Sequence, residues 1–121
     1  MDVIYTYTRA QALEDGVLVD VSETAKEAGI RYPTALTAAV WEAYVRVAEK
    51  TSGQDERGRL WDILWMLRLA ALGSRNEAQI AFEVLVNNDD AEGPRVVRLK
   101  AICGPGDNLE PVLTVMLPNE D

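Results

Sequence analysis

Few residues of this 121-residue chain have the type and spacing for chemistry, and each also has a plainer use. Cys103 is the single thiol. A reactive thiolate needs a positive or helix-N-terminal setting. Cys103 instead ends an apolar run before Gly104, with Lys100 the nearest base in sequence. It reads as a small buried hydrophobe. Asp15 and Asp20 flank a short apolar run and could form a carboxylate pair for acid–base work. Turns and caps are the commonest homes of Asp, and those roles are expected here. The run Asn87-Asn88-Asp89-Asp90-Ala91-Glu92 is rich in oxygen ligands. Its spacing does not match the twelve-residue calcium loop, with its middle Gly and terminal Glu, so it reads as a solvated hairpin loop. Gly104–Asn108 has the composition of a backbone nest for anions, but Asp107 and Glu110 would repel one, and a plain turn is expected.

What is missing narrows the field further. The chain has no histidine, which removes the commonest general base and the commonest transition-metal ligand. No P-loop and no Gly-x-Gly-x-x-Gly occurs. One cysteine cannot hold zinc or form an internal disulfide. No catalytic residue, metal ligand or cofactor is therefore assigned. An enzyme or small-ligand binder would have to use carboxylates and tyrosines, with a deep pocket lined by Asp15, Asp20 or Tyr5.

Recognition of a protein has better candidates. Trp61 and Trp65 are four apart and share a helix face. Trp is enriched at interface hot spots, although it also fills cores. Trp61, Leu64, Trp65 and Arg68 make the first candidate interface; Tyr5, Tyr7 and Arg9 make the second.

The net charge of −8 disfavours phosphate backbones, so no direct nucleic-acid binding is expected. The charge is uneven. Residues 1–76 carry 11 acids and 9 bases, while residues 77–121 carry 9 acids and 3 bases. The acidic C-terminal third serves solubility or faces a basic partner. No apolar run approaches the roughly 20 residues that cross a bilayer, and no signal peptide is evident. A cytoplasmic protein with no membrane contact is expected.

These residues need elements to hold them. Val3–Tyr7 alternates like a strand. Thr8 and Gln11 have capping-box spacing for a short helix that Asp15-Gly16 stops. Val17–Val21 is strand-like, and Ser22 opens a small helix ended by Gly29. Tyr32-Pro33 predicts a helix over Thr34–Lys50, with Leu36, Val40, Tyr44 and Val47 at helical spacing. Asp55 caps a helix that runs to about Leu72 and is apolar nearly all round, the mark of a core or interface helix. Such a helix should bury one of Trp61 and Trp65 and leave the other more accessible. After Gly73-Ser74 the period becomes alternating, with strands at Gln79–Val86, Arg95–Cys103 and Pro111–Leu117. The length fits one α+β domain over residues 1–121. Its helices, in the N-terminal two-thirds, are expected to pack on a C-terminal three-stranded antiparallel meander, with one or two short N-terminal strands.

The run from Val3 to Val21 and the segment Glu27-Ala28-Gly29-Ile30-Arg31-Tyr32-Pro33 resemble an uncharacterised family of small bacterial proteins found on plasmids, integrative elements and phages. Gly58–Met66 and Cys103-Gly104-Pro105-Gly106-Asp107 fit the same resemblance. It implies a mobile-element setting and an accessory role, and no catalytic residue. The functional expectation is a small acidic, non-enzymatic module that binds a protein partner. An inhibitor of a host nucleic-acid-binding defence protein is one concrete version. A homo-oligomeric structural protein built on the apolar helix is a further alternative.

Overall fold

The computed structural model describes residues 7–74 and 77–121. Its centre is a five-stranded mixed sheet in the order β1-β2-β5-β4-β3. The strands are β1 (Leu18–Asp20), β2 (Thr34–Thr37), β3 (Gln79–Val86), β4 (Arg95–Pro105) and β5 (Pro111–Met116). This replaces the expected C-terminal three-stranded antiparallel meander. The β3-β4-β5 ladder is antiparallel, but β5 also pairs in parallel with β2, which pairs antiparallel with β1. Helices and strands are interspersed along the chain, not grouped with the helices first.

The correction centres on Thr34–Lys50. Thr34–Thr37 is a strand inserted between β1 and β5, and Ala35 and Leu36 are buried. Pro33 fixes φ at a value that suits extended chain as well as a helix start. The helix begins only after Thr37, whose side chain accepts from the Val40 amide. It is short: α3 (Ala38–Val40) runs into a π-helical segment, Trp41–Val45.

The other helices follow their local signals. In α1 (Arg9–Glu14) the Thr8–Gln11 capping box is formed in both directions. The helix α2 covers Ser22–Glu27 but departs from its signal: Val21 is its N-cap, and the Ser22 hydroxyl donates to Asp20 and accepts from the Thr34 amide instead of capping. In α4 (Glu56–Leu72) Asp55 caps by accepting from the Gly58 amide. Alternation in β3 buries Ile80, Phe82, Val84 and Val86. In β4 the buried Leu99 and Ala101 lie against them, in register with Phe82 and Ile80. The core lies between this sheet face and the helices α2, α3 and α4, and Ile63, Leu64 and Leu67 of α4 are fully buried in it. Burial of each contributes roughly 1.5–3 kcal/mol.

The second sheet face is treated differently along its width. Thr114 alternates with the core residues Leu113 and Val115, so it lies on this second face. There it accepts from Arg9 of α1 at 2.7 Å. At the β3–β4 end the same face shows Leu85 and Val96, a cross-strand pair 62% and 60% exposed. The outer edge of β3 is a border of the sheet.

Candidate functional site

Helix α4 carries the first candidate interface. Its buried positions are Arg59, Leu60, Ile63, Leu64 and Leu67. Its outward positions Trp65, Met66, Leu69 and Leu72 are all apolar and all exposed. Their spacing of one, three and three residues forms a continuous stripe along the helix. Trp61 packs half-buried against the core, while Trp65 is 38% exposed, the division expected from the apolar circumference of this helix. The two indoles stack with centroids 6.0 Å apart and planes 12° off parallel. The Arg68 guanidinium stands over the Trp65 ring, 5.2 Å from its centroid. Such a contact favours a fixed guanidinium at low entropic cost.

The four residues of that candidate therefore separate. Trp61, Trp65 and Arg68 form one aromatic–cationic column. Leu64 points into the core, fully buried, and offers nothing to a partner. Met66, Leu69 and Leu72 complete the exposed stripe, and sequence reasoning missed them as interface residues. The signal was present in the helix being apolar all round, but which arc a sheet covers is a tertiary fact.

Beside the stripe runs a groove of about 430 Å³, lined by Asp62, Trp65, Met66, Glu83, Val84, Leu85 and Val96. It joins the exposed side of α4 to the outer edge of β3. Two carboxylates stand in its otherwise apolar lining. Desolvation by partial burial raises the Asp62 pKa above its ordinary value. Glu83 meets Arg98 across the strand pair at 3.4 Å.

Of the second candidate interface, Tyr7 and Arg9 lie among the described residues. Tyr5 lies outside the described residues. Tyr7 is exposed, and its hydroxyl donates to Asp15 at 2.7 Å. Arg9 is structural: its guanidinium donates to Thr114 Oγ1 and to the Leu113 carbonyl. Asp107 accepts from the amides of Arg9 and Ala10, at 2.8 and 3.0 Å. Those two backbone bonds hold its pKa below the ordinary value. Asp107 thus ties the β4–β5 turn to the first turn of α1.

Other acids of the C-terminal third have structural duties too. Asp90 accepts from Ser52 and Asn87. Asp89 accepts from the Ala91 amide, and Glu110 from the Asn108 amide. Glu120 accepts from Thr37 and from the Leu117 amide. The acidity of this region is largely loop architecture. Asp20 accepts from the Ser22 amide and hydroxyl, while Asp15 accepts from Tyr7.

Arg59 is the residue whose role the sequence concealed. It is buried, with 6% exposure. Its guanidinium donates to the carbonyls of Tyr44 and Asn87, to Gln54 Oε1 and to Asn88 Oδ1. No carboxylate pairs with it among the described residues. Burial lowers its pKa from the ordinary value. The π-helical segment explains the arrangement. A helix end leaves carbonyls without partners. Here Arg59 satisfies Tyr44, and the Asn88 amide satisfies Ala43 at 2.9 Å.

Across residues 1–121 the chain matches the model of a family of unknown function, DUF6573, and it belongs to that family. No curated protein and no solved structure matches it.

Proposed function

We propose that this chain is a non-enzymatic protein-binding module whose docking face is the outward stripe of α4 and the adjoining groove at the β3 edge. One observation carries the reading: Trp65, Met66, Leu69 and Leu72 are exposed together on a helix whose other side is core. Contiguous exposed apolar surface of this kind marks interaction sites. Trp65 is the anchor, because it is held by Trp61 beneath and Arg68 above and loses little freedom on binding.

The partner offers an apolar segment carrying basic side chains. Asp62 and Glu83 line the groove and favour such charges, and a net charge of −8 opposes a second copy of this chain. A nucleic-acid-binding defence protein, with its basic surface, belongs to this class of partner, and the chain would then be its inhibitor. Glu83 apart, the acids of the C-terminal third do not supply its docking face in this reading, since most are engaged in hydrogen bonds or ion pairs within the chain.

The test compares capture of partners from a lysate of the source organism by three proteins. They are the natural chain, a Met66→Gln/Leu69→Gln variant, and Leu109→Gln, which alters an exposed leucine elsewhere. Surface changes of this type move stability by only about 0.5 kcal/mol. A protein retained by the natural chain and by Leu109→Gln, but lost by the stripe variant, supports the reading. Retention indifferent to the stripe overturns it. A concentration-dependent dimer in sedimentation, dissociated by the stripe variant, reassigns the face to self-association.

A further inference from the structure

A second cavity lies on the other side of Arg68, between the α2–β2 connection, the end of α4 and the sheet. Its volume is about 590 Å³, within the range of small-molecule sites. Leu67, Ile80 and Leu113 give it an apolar floor, and Arg31 and Arg68 both line it.

The arginines of this chain make those two conspicuous. Arg9 and Arg59 donate to protein oxygens, and Arg46, Arg57, Arg95 and Arg98 each meet a carboxylate. Among the described arginines only Arg31 and Arg68 have no oxygen partner, in a protein with 20 acids and 12 bases. Both lie at the same cavity. Arg68 is also positioned. Trp65 stacks on its guanidinium, and Gly29 gives it room: a Cβ there would come within 2.6 Å of Arg68 Nε. A fixed guanidinium with unused donors beside an apolar floor is complementary to a carboxylate on an apolar body.

We infer that this cavity binds a small organic anion with an apolar body, an alkyl or aryl carboxylate, its charge received by Arg68 and Arg31. Glu77 also lines the cavity, pairs with neither guanidinium and opposes the anion. The site adjoins the docking stripe, sharing Leu72 and the Arg68 that stacks on Trp65, but stands without that reading.

Nuclear magnetic resonance on the full chain tests it with two probes, octanoate and its neutral counterpart octanamide. Octanoate should shift the Nε–H signals of Arg68 and Arg31 and the methyl signals of Ile80 and Leu113. Octanamide should bind about tenfold more weakly, the ratio that one charge-assisted hydrogen bond sustains. Arg68→Gln should bring octanoate down to the octanamide level, and Glu77→Gln should tighten octanoate. Arg31→Gln, at an exposed position, makes the same comparison if Arg68→Gln does not fold. Equal affinity for the two probes overturns the inference. So do shifts confined to Trp65, Met66 and Leu69, or no shift at millimolar octanoate.

Discussion

Arg59 Nε donates to the carbonyl oxygen of Tyr44 at 2.9 Å, across fifteen residues of chain. This bond joins the start of α4 to the end of the π-helical segment. The same guanidinium reaches the Asn87 carbonyl at 2.8 Å, so three connections meet on one buried side chain. A buried cation is stable only when its donors are satisfied, and neutral oxygens do that here. Truncating it leaves several buried acceptors unpaired. Arg59→Met is expected to lower stability by about 3 kcal/mol in urea unfolding. Arg59→Lys should recover only part of that loss, because an ammonium lacks the planar fork. A loss under about 0.5 kcal/mol for Arg59→Met would refute the clasp.

Gly29 has φ +93°, and its open α-carbon faces Arg68. Gly29→Ala should cost about 1–2 kcal/mol, from left-handed strain and from displacing the guanidinium. Displacement moves Arg68 off the Trp65 ring, so tryptophan fluorescence should change with it. Unaltered fluorescence and stability would show that the contact is loose.

Asp107 governs the acid response of α1. Its pKa is depressed in the folded chain, so its contribution is present above the ordinary carboxylate value. That contribution is lost as pH falls through the folded value. Hydrogen exchange at the Arg9 and Ala10 amides should accelerate, after correction for intrinsic rates, on acidification through that window. Asp107→Asn should abolish the pH step. A step of equal size in the variant would assign it to another group.

Asp62 has the opposite sign. Its pKa is raised by desolvation, so folding opposes its ionised form at neutral pH and the penalty vanishes in acid. Asp62→Asn should therefore match or slightly exceed the natural chain in stability at neutral pH, and the difference should shrink on acidification. A clear loss of stability in the variant at neutral pH would mean that the carboxylate is engaged.

The protein should not retain duplex DNA at physiological salt. Twenty acids oppose twelve bases, and six of the arginines are already tied to oxygens of their own chain. Fluorescence anisotropy of a labelled duplex checks this. Micromolar, salt-sensitive binding would contradict the charge argument.

Much of the local structure was legible because its causes are local. Thr8 and Gln11 satisfy the first amides of α1 whatever the rest of the chain does. The Asp55 cap and Gly73 bound α4, and the period-two pattern of Gln79–Val86 fits only a half-buried strand. The stacked Trp61–Trp65 pair follows from a four-residue helical spacing. What tertiary structure alone decided depends on partners distant in sequence. Four residues, Thr34–Thr37, are too few to show a period, and their strand exists because β5 lies beside them in parallel, nearly eighty residues later. The same holds for the candidate sites. Leu64 and Trp65 are adjacent and both apolar, yet one is core and the other surface, since the sheet covers only one arc of α4. Arg31 and Arg68 meet at one cavity only because α2 and α4 pack on the same sheet face, a juxtaposition that no spacing along the chain encodes.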